Sequence, residues 1–241
     1  MFEIEDLTCC DRIDFEEKMG DRKENATMIS RIKDTAGHAL GSGCDREVAR
    51  ILVEFLEVAI TSIVFLKGVY PSGAFERRRY KNLVVHRARH PQLSHYIHSA
   101  VSGLLPYIEK GLVERVAVIF SDENNVPVER FIFKLAVNPS YGSKVDDADL
   151  EFALRSFLIK LPASGSLTEV VSRDCRWEIT AYFRGLPETG SSKDVASLWI
   201  PTDTKQWQQP PLITPIKSMS SEPLSLQLYL EHPSLSEPTN P

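Results

Sequence analysis

Apolar residues recur at three- and four-residue spacing from Val48 to Leu66, through Ile51, Leu52, Phe55, Leu56, Ala59 and Ile63, and this predicts one long amphipathic helix. Asp45 stands where an N-cap belongs, and Tyr70-Pro71-Ser72-Gly73 supplies a stop, because proline disfavours helical geometry in the residue before it. The basic run Glu76-Arg77-Arg78-Arg79-Tyr80-Lys81 reads as a solvated loop, followed by a short extended stretch over Asn82 to Arg87. A second helix begins near Pro91 and presents Leu93, Ile97, Val101, Leu104 and Ile108 along one side, with Pro106 marking a kink or an early end. Val113 to Phe120 and Val126 to Val137 are rich in β-branched and aromatic residues, and with Asp122-Glu123-Asn124-Asn125 between them they predict a hairpin.

In the second half, Asp146, Asp147 and Asp149 precede Leu150, Ala153, Leu154, Phe157, Leu158 and Leu161, so acids occupy the positive end of a third amphipathic helix that Pro162 is expected to end. Trp177, Ile179, Ala181 and Phe183 alternate as a strand does. Eight of the fifteen prolines fall between Pro201 and Pro241, which excludes unbroken helix or central sheet there. Within that segment Leu224, Leu226, Leu228 and Leu230 alternate with Ser225, Gln227, Tyr229 and Glu231, the signature of a strand with one buried face. The order of elements describes an α+β domain over residues 45–231, a sheet covered by three helices. Residues 1–44 are acidic and poor in residues to bury, and are expected to be a disordered extension with a short helix around Phe15 to Met19. Residues 232–241 are expected to be a disordered tail.

Charge narrows the partners. With 33 acidic and 28 basic residues the net charge is -5, so no strong direct binding to nucleic acid is expected. Cys9, Cys10, Cys44 and Cys175 form no CxxC pair and fit reduced thiols inside a cell. The first residues include Glu3, Glu5 and Asp6 where a leader peptide needs bases, and no apolar run reaches membrane-spanning length, so neither secretion nor a membrane is expected.

Candidate chemistry is sparse. His86 with His90, and His95 with His98, have metal-like spacing but no Cys or acidic cluster beside them, and no metal is expected. Gly41-Ser42-Gly43 lacks the preceding strand and the third glycine of a dinucleotide loop, the aspartates near Asp146 lack the glycine of an EF-hand, and no nucleophile elbow is present. No cofactor is expected. An enzyme reading rests on His86, His90, Cys44 and Cys175. The basic run around Arg78 has a second reading as a phosphate contact or nuclear import signal.

Glu54-Phe55-Leu56-Glu57-Val58-Ala59, Val69-Tyr70-Pro71, His90-Pro91-Gln92-Leu93 with Tyr96-Ile97, and Gln227-Leu228-Tyr229-Leu230, in this order, resemble the HORMA family over Asp45 to Glu231. Within it they are similar to the branch that serves as accessory, mitotic-arrest-deficient-like subunit of DNA polymerase zeta in translesion synthesis. The resemblance implies three helices packed on a mainly antiparallel sheet, with a C-terminal safety belt, about residues 175–231, that pins a partner peptide. It implies no catalysis and a nuclear protein. Tyr96 and Trp199 match positions that contact a proline-containing peptide of the polymerase's catalytic subunit. Ile213, Gln227 and Tyr229 match the face that meets the C-terminal domain of the translesion deoxycytidyl transferase, and Arg155 matches a position used when HORMA proteins pair with one another or with a second copy. A spindle-checkpoint or meiotic-axis HORMA adaptor is the alternative within the fold. The segments 1–44 and 139–146 and the loop around Gly190 depart from the family pattern.

Overall fold

The long helix α1 spans Gly43–Leu66, beginning two residues before the expected cap. The computed structural model describes residues 26–30, 43–137, 147–164, 175–184, 200–201, 207–221 and 224–233. Leu52, Phe55, Leu56, Ala59, Ile60, Ile63 and Val64 of α1 are fully buried, the apolar stripe that the spacing foretold. Phe55 meets Phe133 and Phe157 edge-on, with ring centroids 6.2 and 5.9 Å away, so one residue of α1 touches both a strand and another helix.

Strand β2 (Phe75–Tyr80) replaces the expected solvated loop and pairs antiparallel with β3 (Leu83–Ala88). The arginines of β2 stand exposed, so the run shows no alternation of apolar and polar residues. What makes it a strand is its tight turn, in which Lys81 and Asn82 take φ of 43° and 61°, the left-handed pair that a two-residue hairpin turn needs. Phe65 of α1 holds both strands: Phe75 packs edge-on at 5.3 Å and His86 stacks on it at 3.5 Å. Helix α2 (Pro91–Ser102) starts with proline in its first turn, and a short α3 (Leu105–Glu109) follows it, so the expected second helix is divided before Pro106.

Strands β4 (Val113–Ser121) and β5 (Pro127–Val137) form the expected hairpin. Asp122 Oδ1 closes its turn by accepting the backbone N–H groups of Asn124 at 2.9 Å and Val126 at 2.8 Å. Helix α4 (Asp147–Ser164) runs two residues past Pro162, which therefore does not end it. A proline so close to a helix end removes one N–H where little ladder remains to lose.

The remaining strands are β6 (Arg176–Phe183), β7 (Ile200–Pro201), β8 (Leu212–Ser221) and β9 (Leu224–His232), with β1 (Ala26–Ser30) inside the stretch expected to be a disordered extension. His232, expected to begin the tail, is the last residue of β9 and registers with Leu212. Residues 15–19 lie outside the described residues, as do residues 234–241. One seven-stranded sheet runs in the order β7-β1-β6-β4-β5-β9-β8. It is antiparallel from β6 to β8, while β1 lies parallel to both β6 and β7. The expected α+β class holds, with a mainly antiparallel sheet.

Alternation sorts the sheet into two faces. Val116, Val118, Phe120, Phe131, Phe133, Trp177, Ile179, Ala181, Phe183 and all four leucines of β9 join the core with the helices. Ala117, Ile119 and Ile132 form a smaller cluster on the other face with Tyr182 and Tyr229. Burying each β9 leucine contributes about 1.5–3 kcal/mol, so the strand is held chiefly by its inner face.

Lys67, just after α1, sets its Nζ 2.6 Å from Glu129 Oε2 on β5, both side chains nearly inaccessible. Removing one partner strands a buried charge, so Lys67→Met is expected to cost about 3–5 kcal/mol. Urea titration of the variant checks this; an unchanged midpoint contradicts it.

Candidate functional site at the outer edge of the sheet

β6 has two unlike neighbours. On one side β4 pairs with it along most of its length, while among the described residues its other side carries only the short β1. Three aromatic residues fix β6 from the helical face. Trp177 Nε1 donates to Tyr70 Oη at 3.0 Å in the buried core, and the Trp177 ring meets that of Tyr96 edge-on at 5.4 Å. Tyr96, half-buried on α2, accepts the backbone N–H of Ile179 on its Oη at 3.2 Å. Ile179 is the residue that registers with Ala26 of β1. Tyr96 thus stands beside a β6 residue with which β1 registers. Trp199, its companion in the expected peptide contact, lies outside the described residues.

The opposite border of the sheet is the edge strand β8. Pro215 sits within it, and the register shifts between Pro215 and Lys217, as suits a strand paired on one side among the described residues. Ile213 is 62% exposed and registers with Glu231, two positions along β9 from Tyr229, which is itself two from Gln227. The three residues expected at one interface therefore share the face turned away from the helices. Arg115 and Arg130 lie behind them. Arg115 stands over the Tyr182 ring at 5.6 Å, and Arg130 over the Trp207 ring at 4.9 Å with Nη1 3.6 Å from Glu231 Oε2. Burial raises the Tyr229 hydroxyl above the ordinary phenol range, with the Arg115 guanidinium opposing it, so it stays a protonated donor at neutral pH. Leu212, exposed beside Ile213, and Trp207 were not singled out from the sequence, since a proline-rich stretch gives no periodicity to read.

Arg155 is half-buried on α4 between Phe152, 72% exposed, and Ile159, 58% exposed, three and four residues away on one side of the helix. The Arg155 Nε has no hydrogen-bond partner among the described residues. Phe152 and Ile159 escaped the sequence reading because the buried stripe of α4 accounts for the same periodicity.

The residues of the enzyme reading are engaged elsewhere or undescribed. His86 is stacked on Phe65 and its pKa is lowered by burial and then by Arg77, Cys175 is buried with Sγ donating to the Arg176 carbonyl at 3.3 Å, and the side chain of Cys44 lies outside the described residues. Among the described residues no group of three His, Cys, Asp or Glu is placed to hold a metal ion. A depression of about 660 Å³ between α1, α2 and the β2–β3 hairpin is lined by charged groups, among them Arg87, Arg89 and the pair His98 and Glu57, whose Nδ1 and Oε2 are 2.9 Å apart. Tyr96, Ile213, Gln227, Tyr229 and Arg155 do not line it.

Residues 49–189 match the family model of the HORMA domain. The chain belongs to the HORMA domain family. This HORMA protein is 70% identical over 194 residues to a protein of Arabidopsis thaliana named DNA polymerase zeta processivity subunit, a match covering 80% of the chain and 90% of the relative. It is 31% identical over 192 residues to human mitotic spindle assembly checkpoint protein MAD2B, covering 76% and 90%. Among solved structures, a chain of the mitotic checkpoint complex superposes with a TM-score of 0.66 at 16% identity, covering 78% of this chain and 99% of that one. Caenorhabditis elegans HTP-2 bound to a HIM-3 closure motif superposes with a TM-score of 0.64 at 10% identity, covering 83% and 98%. These likenesses establish the HORMA fold that the motif set suggested.

Tyr96→Phe removes the hydroxyl that accepts the Ile179 N–H at a cost of about 1 kcal/mol, so amide exchange at Ile179 is expected to speed up roughly three- to tenfold. Exchange measured by NMR checks it; an unchanged rate places the hydroxyl elsewhere.

Proposed function

We propose that this HORMA protein is the non-catalytic adaptor subunit of DNA polymerase zeta in translesion DNA synthesis. The observation that carries the reading is the 70% identity, over nearly the whole length of the relative, to the Arabidopsis processivity subunit. In this reading a proline-containing peptide of the catalytic subunit adds as a strand at the outer edge of β6, giving up its main-chain donors and acceptors to the sheet, while Tyr96 and Trp199 choose the side chains. A segment after Phe183 closes over it as a belt. Strand β6, at the start of the expected belt region, lies inside the sheet with its core-facing side chains buried, which supports a belt formed by the residues that follow it. Closure acts on the off-rate, since the peptide leaves only after the belt opens.

The exposed face of Ile213, Gln227 and Tyr229 takes the C-terminal domain of the translesion deoxycytidyl transferase. Its partly buried phenol and its exposed aliphatic residues are the kind of anchor that dominates such contacts. Phe152, Arg155 and Ile159 supply the surface for pairing with another HORMA protein or a second copy. The site of action is the nucleus. A second reading, a spindle-checkpoint adaptor, is favoured by the name of the human relative.

Affinity purification of the full chain from cells separates the two: recovery of the polymerase zeta catalytic subunit is expected, and recovery of checkpoint proteins in its absence supports the second reading. In titrations, Trp199→Ala is expected to weaken binding of the catalytic-subunit peptide, and Tyr229→Ala to weaken the transferase domain by roughly tenfold or more, the scale of about 1–3 kcal/mol for a central aromatic. Loss of both partners in either variant contradicts the assignment of separate surfaces.

A further inference from the structure

We infer that the chain carries its own occupant for the β6 edge: residues 26–30 act as an internal strand that a partner peptide must displace. This deepens the peptide-trapping reading and rests on it. Ala26 through Ser30 register one for one with Ile179 through Phe183, in parallel. On its far side the same strand pairs with β7, Thr27 with Ile200 and Met28 with Pro201. β1 therefore lies between the fixed strand β6 and the two residues contributed by the C-terminal third, where the trapped strand belongs in the adaptor reading. No local constraint brings it there, since about 150 residues of chain separate the paired segments.

The sequence suits an occupant that can be exchanged. Asn25-Ala26-Thr27-Met28-Ile29-Ser30 is an uncharged island between Arg22-Lys23-Glu24 and Arg31, with Thr27 and Ile29 β-branched and no glycine or proline. It is five residues long, and each main-chain hydrogen bond it makes to the sheet is worth about 1 kcal/mol net. Twelve residues, 31–42, join it to α1, which keeps it near the edge at an effective concentration on the order of millimolar. The same main-chain groups of β6 cannot serve two strands, so an occupied edge lowers the apparent affinity of any added peptide by the fraction of time it is filled. The displacing chemistry is an extended, uncharged segment with aliphatic side chains, presented at higher affinity than the tethered one.

The test uses the full chain, unaltered and as Thr27→Pro/Ile29→Pro, which removes two backbone N–H donors from the internal strand. Hydrogen exchange of the unaltered protein is expected to show protection at residues 26–30; exchange there at the rate of an unstructured peptide overturns the inference without use of any variant. A fluorescent synthetic peptide of residues 21–35 is then titrated into both proteins, with at least tenfold tighter binding expected for the proline variant. Equal binding of the probe overturns the inference. A synthetic peptide from the polymerase zeta catalytic subunit separates the two readings. Tighter binding by the variant supports both. Equal, measurable binding by the two proteins sinks the internal occupant and leaves peptide trapping standing. Failure of both proteins to bind it, with residues 26–30 protected, overturns the partner reading and with it the competition proposed here.

Discussion

A strand at the border of a sheet presents main-chain donors and acceptors that something must satisfy, and the outer edge of β6 is where this constraint governs the molecule. Trp177, Ile179, Ala181 and Phe183 pin one face of the strand into the core, and β4 holds one side of it. Among the described residues the other side carries the five-residue β1, itself paired with the two residues of β7. An edge that is rigid in position yet weakly claimed is what strand addition requires, since the incoming peptide meets a template already formed and no core has to be rebuilt.

The rest of the fold keeps that template in place. Phe55 ties α1 to β5 and α4, the Tyr70–Trp177–Tyr96 arrangement ties β6 to α2, and the ion pair of Lys67 with Glu129 ties the end of α1 to β5. At the far border the leucines of β9 give β8 a base, so that Ile213 and Tyr229 can be offered outward while Leu228 and Leu230 are buried beneath. In the proposed reading the two borders of one sheet serve as separate docking surfaces.

Much of this was legible in residue patterns because burial on one face leaves a period. The stripe of α1, the alternation in β4, β5, β6 and β9, and the turn at Asp122 all follow that rule. The failures occur where burial on one face does not apply. β2 carries three consecutive arginines and is held by its turn and by Phe65, so its sequence looks like a loop. β1 is a charged region's brief uncharged island, paired with residues far away in the chain, and no local signal announces such a partner. Of the site residues, Tyr96, Ile213, Gln227, Tyr229 and Arg155 came from the family resemblance. Spacing could not have selected them, since a half-buried arginine or tyrosine carries the same local signature in any domain.

The central claim is that the β6 edge receives a foreign strand. An experimentally determined structure of the full chain bound to the catalytic subunit of DNA polymerase zeta tests it most directly. The account predicts a strand of the catalytic subunit lying against Ile179 to Phe183, with residues 26–30 displaced from that position. A complex in which the catalytic subunit docks elsewhere, while Ala26 to Ser30 still hold the β6 edge, contradicts it.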